Sequence, residues 1–155
     1  MPARFKRIVS SGLAFGPACI ALMMATSAVA QDANISSVYH QVVSAEAKVA
    51  KALSAKDPKS LSRIGSELGK IIEAALQRRE DGGSVTACDM AAHSLAFVAV
   101  SAADGLISKG DARKLLMDDA LAAASDFQKD MQACDKLAGK PAAGHAGVGK
   151  ALRAL

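Results

Sequence analysis

Two cysteines lie at equal distance from one turn that breaks helical structure. Cys88 precedes Asp111 by twenty-three residues, and Cys134 follows it by the same number. Gly110 and Asp111 separate two long stretches with helical periodicity, and an antiparallel hairpin bent there brings both sulfurs to its open end. We therefore predict an all-α chain with a Cys88–Cys134 disulfide. The alternative is a pair of free, buried thiols that behave as small apolar side chains.

Residues 1–30 have the pattern of a secretory signal peptide. A basic start at residues 4–7 precedes an apolar run, and residues 28–30 read Ala-Val-Ala, a small-x-small cleavage pattern. We expect cleavage before Gln31, a periplasmic or secreted location, and removal of Cys19 with the signal. An uncleaved anchor is the alternative. Export agrees with the disulfide, because such bonds persist in oxidising compartments.

The basic charge of the chain belongs mainly to this signal. The whole sequence has a net charge of +4, but residues 31–155 hold sixteen Lys and Arg against fifteen Asp and Glu. Tyr39 is the only tyrosine, and no cluster of basic and aromatic residues is present. We therefore expect no nucleic-acid partner, and no membrane association after signal cleavage.

Four stretches within residues 31–136 carry apolar residues at spacings of three and four, which is the period of a helix with one buried face. They span residues 35–54, 58–80, 84–108 and 111–136. Asp57, Ser84 and Asp111 are predicted N-caps. The short turns predict a small up-down-up-down four-helix bundle stapled by one disulfide. A three-helix domain with a loose N-terminal helix is the alternative.

Residues 137–155 differ in composition from the helices before them. Glycines and a proline are spread among Ala and Lys, and the segment contains no acid. Such a composition predicts a flexible tail without a stable helix. We expect at most weak, transient contact with the acidic part of the bundle.

The predicted third helix is apolar on almost every side. Met90, His93, Phe97, Val100 and Asp104 lie opposite Cys88 at 100° per residue, where a bundle helix is ordinarily polar. One interpretation is an exposed surface for a protein partner or for self-association. The other is that a neighbouring helix or the tail covers these residues. The polar residues that interrupt the stretch, and its short length, argue against a membrane span.

The remaining polar residues give little support for metal binding or catalysis. Asp119, Asp126 and Asp130 share one flank of the fourth helix, which we interpret as a solvated face. His40 and His93 point away from the predicted core. The sequence lacks the motifs of common hydrolases and nucleotide-binding loops. We therefore predict no enzyme, no catalytic or metal-binding residue and no cofactor.

The sequence predicts an exported interaction module with an unknown partner. The alternative is a carrier that holds a small molecule or haem inside the bundle, in a gap left by its small Ala side chains.

Overall fold

The structure, a computed structural model, describes residues 20–155, with side chains from Asn34 onward. Its helices are α1 (Ile20–Ser54), α2 (Pro58–Glu80), α3 (Ala87–Ile107), α4 (Gly110–Leu137) and α5 (Gly147–Arg153). The first four pack as the predicted all-α bundle. Helix α1 begins well before the predicted Ile35. Residues 1–19, which include Cys19 and most of the predicted signal peptide, lie outside the described residues.

Local sequence explains where α2 and α3 begin. Asp57 caps α2 by accepting a 3.0 Å hydrogen bond from the Ser60 backbone N–H. Hydrogen bonding to the Ser60 side chain, and then to its backbone, lowers the pKa of Asp57. Helix α3 starts later than predicted, because Thr86 rather than Ser84 caps it. Thr86 and Asp89 form a capping box in which each side chain accepts from the other residue's backbone N–H.

The turn between α3 and α4 also differs slightly from the prediction. Lys109 occupies the N-cap position of α4, and Gly110 has a φ of +57°, a backbone conformation that glycine adopts without steric cost. Asp111 therefore lies in the first turn of α4 and does not cap it. There its charge still complements the positive end of the helix dipole.

The core is built from the predicted apolar stripes, with α3 in contact with α1, α2 and α4. Ala side chains of α3 allow close approach, and the bulky Phe127 of α4 is fully buried. Gly65 of α2 contributes to this closeness, since a Cβ at that position would meet Val100 Cγ2 at 2.8 Å. Leu76, predicted to face inward, is 42% exposed, since it lies one residue, or about 100°, beyond the buried Ala75.

The predicted disulfide is present between α3 and α4. The two sulfurs of Cys88 and Cys134 are bonded, the Cα–Cα distance is 4.7 Å, and both side chains are fully buried. The bond joins the start of α3 to the end of α4, at the open end of their hairpin. Equal distances from the turn along antiparallel helices produce this register.

The prediction of a helix-free tail is wrong at residues 147–153. These residues form α5, which packs against both α1 and α4 and lies where those two helices make few contacts with each other. Val148 and Leu152, four residues apart, are buried on its inner face. Tertiary burial thus stabilises a helix whose isolated sequence is too short and too rich in glycine to form one.

Candidate functional site

The predicted surface on α3 is exposed to solvent. Met90, Phe97 and Val100 keep 45%, 51% and 45% of their accessible area, and His93 lies exposed between them. Helices α1, α2 and α4 pack against the other sides of α3, and α5 packs against α1 and α4. The interpretation in which the tail or a neighbouring helix covers this stripe is therefore wrong.

The exposed stripe continues beyond the residues identified from sequence. Ile107 is 69% exposed and follows Val100 by seven residues, or two turns of the same helix. A Cβ at Gly65 would meet Val100, and Arg78 pairs with Asp89, so Leu76 is level with Met90. Leu76 follows Gly65 by eleven residues, about three turns, and therefore lies on the side of α2 that faces Val100.

On the other side of α3, the contact of Gly105 with Met117 places the 64% exposed Leu115 level with Ile107. Leu115 also shares a side of α4 with Asp119 and Asp126, which line the cleft beside Phe97. Six of the eight large exposed apolar side chains in the described residues therefore follow one strip, which His93 and Asp104 interrupt. We call this strip the α3 face. Its members are Leu76, Met90, Phe97, Val100, Ile107 and Leu115.

Acidic side chains border the α3 face. A shallow cleft of about 180 Å³ beside Phe97 is lined by Asp119 and Asp126 of α4. Asp104 is exposed within the strip itself, between Val100 and Ile107 on the same side of α3. We call Asp104, Asp119 and Asp126 the acidic rim. Helix α3 contains no Lys or Arg. This edge of the apolar strip is therefore electrostatically negative, apart from the exposed Lys129, which pairs with Asp126 at 3.1 Å.

Asp119, Asp126 and Asp130, which the sequence places on one flank of α4, do not share the same contacts. Asp130 accepts a 2.6 Å hydrogen bond from the Ser94 hydroxyl, whereas Asp126 faces Lys129. Within residues 34–155, no group of three His, Cys, Asp or Glu side chains is positioned to hold a metal ion.

Helix α3 is also long and apolar enough to cross a membrane, judged by length and composition alone. Its best window has a mean hydropathy of 1.5, and 56% of that window is buried inside the protein. The same values are typical of the central helix of a soluble bundle. The contacts of α3 with three neighbouring helices favour this second interpretation.

A second polar site lies under the C-terminal segment and was missed from the sequence. The His145 ring has Nδ1 2.7 Å from Glu46 Oε2 of α1 and Nε2 3.2 Å from Asp135 Oδ2 of α4. The side chains are 5%, 15% and 0% exposed for His145, Glu46 and Asp135. We call these three residues the acid–histidine cluster. By contrast, His40 and His93 are exposed.

The environment of Asp135 is strongly desolvated. Its Oδ2 also accepts a 3.0 Å hydrogen bond from the Ala143 backbone, whereas its buried Oδ1 has no hydrogen-bond partner within the described residues. Burial, followed by the negative charge of Asp135, raises the pKa of Tyr39. Tyr39 is therefore a neutral neighbour of the cluster at physiological pH.

The carrier alternative requires space between the helices. The described core is instead filled by completely buried side chains, among them Val42, Leu53, Leu95, Phe127 and Met131. A cleft of about 310 Å³ between α1 and α2, lined by His40 and Lys48, opens to solvent.

One residue pattern in the sequence could have indicated the cluster. His145 lies in a segment free of acid, three residues before the apolar pair Val148 and Leu152, and a histidine beside an apolar pair is a candidate for docking. Its partner Glu46 is ninety-nine residues away in the chain, so the sequence alone does not show that the two residues meet.

The chain matches no protein-family model, no curated protein and no solved structure.

Proposed function

We propose that this protein is an exported binding module that holds an apolar, basic-flanked helix of a partner protein along the α3 face. The observation that carries the proposal is the clustering of six large exposed apolar side chains on one strip. Scattered exposed apolar residues are ordinary, but contiguous apolar surface on a small protein is typical of an interaction site.

The dimensions of the strip suit a helical ligand. Met90 and Ile107 are seventeen residues apart on one helix, which corresponds to about 26 Å at 1.5 Å per residue. The strip is one helix wide, with α2 and α4 on its two sides. A partner helix of about five turns would cover it with residues at spacings of three and four.

The acidic rim favours one class of partner. A partner helix with Lys or Arg beside its apolar stripe would place those charges near Asp104, Asp119 and Asp126, where complementary charge favours association and register. A second copy would present an α3 without Lys or Arg. We therefore favour a different protein over self-association.

Export is supported by the buried disulfide, which agrees with an oxidising compartment, together with the predicted signal peptide. Sequencing the N-terminus of the protein recovered outside the cytoplasm tests this part separately. A chain that begins at Gln31 supports export, whereas exclusive recovery of uncleaved, reduced protein from the cytoplasm contradicts it.

A pair of synthetic helical peptides tests the binding site. Each has eighteen residues and one Trp; one places Lys beside a Leu stripe, and the other places Glu there. Because the chain contains no Trp, emission from the peptide reports binding directly. We expect the Lys peptide to bind and the Glu peptide to bind at least tenfold more weakly, with the difference reduced by salt.

Matched variants locate the binding surface. Phe97→Asp should abolish binding of the Lys peptide without unfolding the protein, because Phe97 is half exposed. Ala47→Asp adds the same charge on an exposed position of α1 and should leave affinity unchanged. Equal loss in both variants, or equal affinity for both peptides, refutes the proposed site.

Sedimentation of the protein alone tests whether a second copy of the chain, and not a different protein, occupies the α3 face. A stable dimer that Phe97→Asp converts to monomer would show that a second copy covers the α3 face.

In cells, a photocrosslinking residue at position 97, with position 47 as control, identifies the partner. The proposal requires position-97 adducts to map to a basic amphipathic helix.

A further inference from the structure

We propose that residues 138–155 form a pH-sensitive latch, docked while the His145 ring carries both of its protons and released when the ring loses one. This latch is independent of the α3 face. It depends on the acid–histidine cluster and on the position of α5 between α1 and α4.

Apart from the backbone hydrogen bonds of residues 138–140 to the end of α4, few polar contacts hold this segment to the bundle, and most converge on one point. The two ring nitrogens of His145 and the backbone N–H of Ala143 all face Glu46 or Asp135. Away from this point, Gln128 donates to the Gly144 carbonyl at 3.0 Å. The other attachment is apolar, through the buried Val148 and Leu152.

Proton counting makes the contact at His145 sensitive to pH. A doubly protonated imidazole has two N–H donors, one for Glu46 and one for Asp135, whereas a neutral ring has one donor and one lone pair. Loss of a proton therefore turns one short nitrogen–carboxylate contact from attractive to repulsive. Both carboxylates are largely withdrawn from water, so solvent does not restore the lost hydrogen bond.

The other charged and titratable groups near the ring do not replace the missing proton. Tyr39 of α1 is neutral, with its pKa raised by burial, by the charge of Asp135 and by a hydrogen bond to Asp135. Its hydroxyl donates to Asp135 but adds no proton to the His145 nitrogen that faces this acid. Lys140 of the segment itself lies 6.0 Å from the centre of the Tyr39 ring. The aromatic neighbour Phe127, 6.2 Å from the His145 ring centre, does not titrate.

The backbone at His145 is also strained in the docked state. His145 has a φ of +36°, in the left-handed region that non-glycine residues rarely adopt because it is strained. Docking must offset this cost through the contacts of the ring. Release relieves the strain and exposes Val148, Leu152 and the gap between α1 and α4.

The sign of the pH dependence follows from these contacts. Docking is coupled to a bound proton, so the ratio of docked to released protein is highest while the ring is protonated and the acids are ionised. It falls as pH rises, by at most about tenfold per pH unit for one linked proton.

Methyl NMR of the full chain, labelled at Val and Leu, measures this ratio from pH 5 to pH 10. Signals of Val148 and Leu152 report docking, buried Leu95 reports the intact core, and imidazole nitrogen shifts report the proton on His145. We expect the α5 methyl groups to become solvent-exposed as His145 loses its proton, while Leu95 stays unchanged.

Glu46→Gln distinguishes a latch from a merely structural contact. The side-chain amide that this substitution introduces donates to the unprotonated Nδ1 of a neutral ring while Nε2–H donates to Asp135, so docking should persist to pH 10. His93→Gln alters an exposed histidine and should leave the titration as in the wild type.

Three results overturn the proposal. These are α5 staying docked after His145 has lost its proton, a ring that is neutral throughout, and a Glu46→Gln variant with the wild-type pH dependence. If Glu46→Gln fails to fold by circular dichroism, the wild-type titration alone decides the question.

Discussion

Removal of the Cys88–Cys134 disulfide should lower the free energy of unfolding by about 4 kcal/mol. The bond closes a loop of 46 residues, and the chain-entropy relation gives an unfolded-state entropy loss of about 13–14 cal/mol/K for a loop of that size. At 25 °C this corresponds to about 4 kcal/mol, against a total stability of about 5–15 kcal/mol for an ordinary domain.

The assay is guanidinium unfolding followed by helical circular dichroism. Three samples are compared: the oxidised protein, the same protein kept reduced, and the Cys88→Ala, Cys134→Ala double variant. The reduced protein retains both buried sulfurs, so it isolates the effect of the covalent bond from the effect of packing. The slope of free energy against denaturant should increase without the bond, because the unfolded chain expands.

A loss below about 1 kcal/mol in the reduced protein would refute the entropic reasoning. A large loss confined to the alanine variant would show instead that the sulfurs contribute by filling space, since removal of buried atoms leaves a cavity. A loss with unchanged denaturant slope would also contradict the explanation, which assigns the effect to the unfolded chain.

Two further stability predictions concern α2 and α3. Gly65→Ala should destabilise the protein by about 1 kcal/mol, because the new methyl group meets Val100 Cγ2 at 2.8 Å. Gly69→Ala has open space around the new methyl group and should stabilise the protein by about 0.5–1 kcal/mol. Thermal unfolding of both variants checks these values. Asp89→Ala removes a buried cap and ion-pair carboxylate and should cost about 2–3 kcal/mol. Asp104→Ala, exposed on the same helix, should change stability by less than about 0.5 kcal/mol; losses of equal size would contradict the burial argument.

The bundle could be predicted because its signals are local. The Asp57-Pro58 pair defines the start of α2, whose bounds agree with the sequence prediction. The start of α3 was predicted wrongly at Ser84, although Thr86 with Asp89 three residues later is itself a capping signal. The disulfide followed from counting residues on either side of one turn, which required no knowledge of side-chain packing.

The features that could not be predicted depend on contacts between distant parts of the chain. Periodicity identifies Phe97 as lying opposite the core of the hairpin, but whether another segment covers it depends on where the C-terminal residues pack. Composition alone predicts a loose tail, because it does not include the free energy that Val148 and Leu152 gain in the gap between α1 and α4.

Electrostatics explains why the C-terminal segment occupies that gap and leaves the α3 face open. Water solvates the exposed Asp126, so a cation from the segment would gain little there. Asp135 is fully buried and Glu46 largely so, and a desolvated carboxylate is costly until a donor reaches it. The His145 ring brings one nitrogen to Glu46 Oε2 and the other to Asp135 Oδ2, and the adjacent apolar residues seal the gap. Self-docking is therefore directed to the buried acids, which leaves the acidic rim open to the partner that we propose.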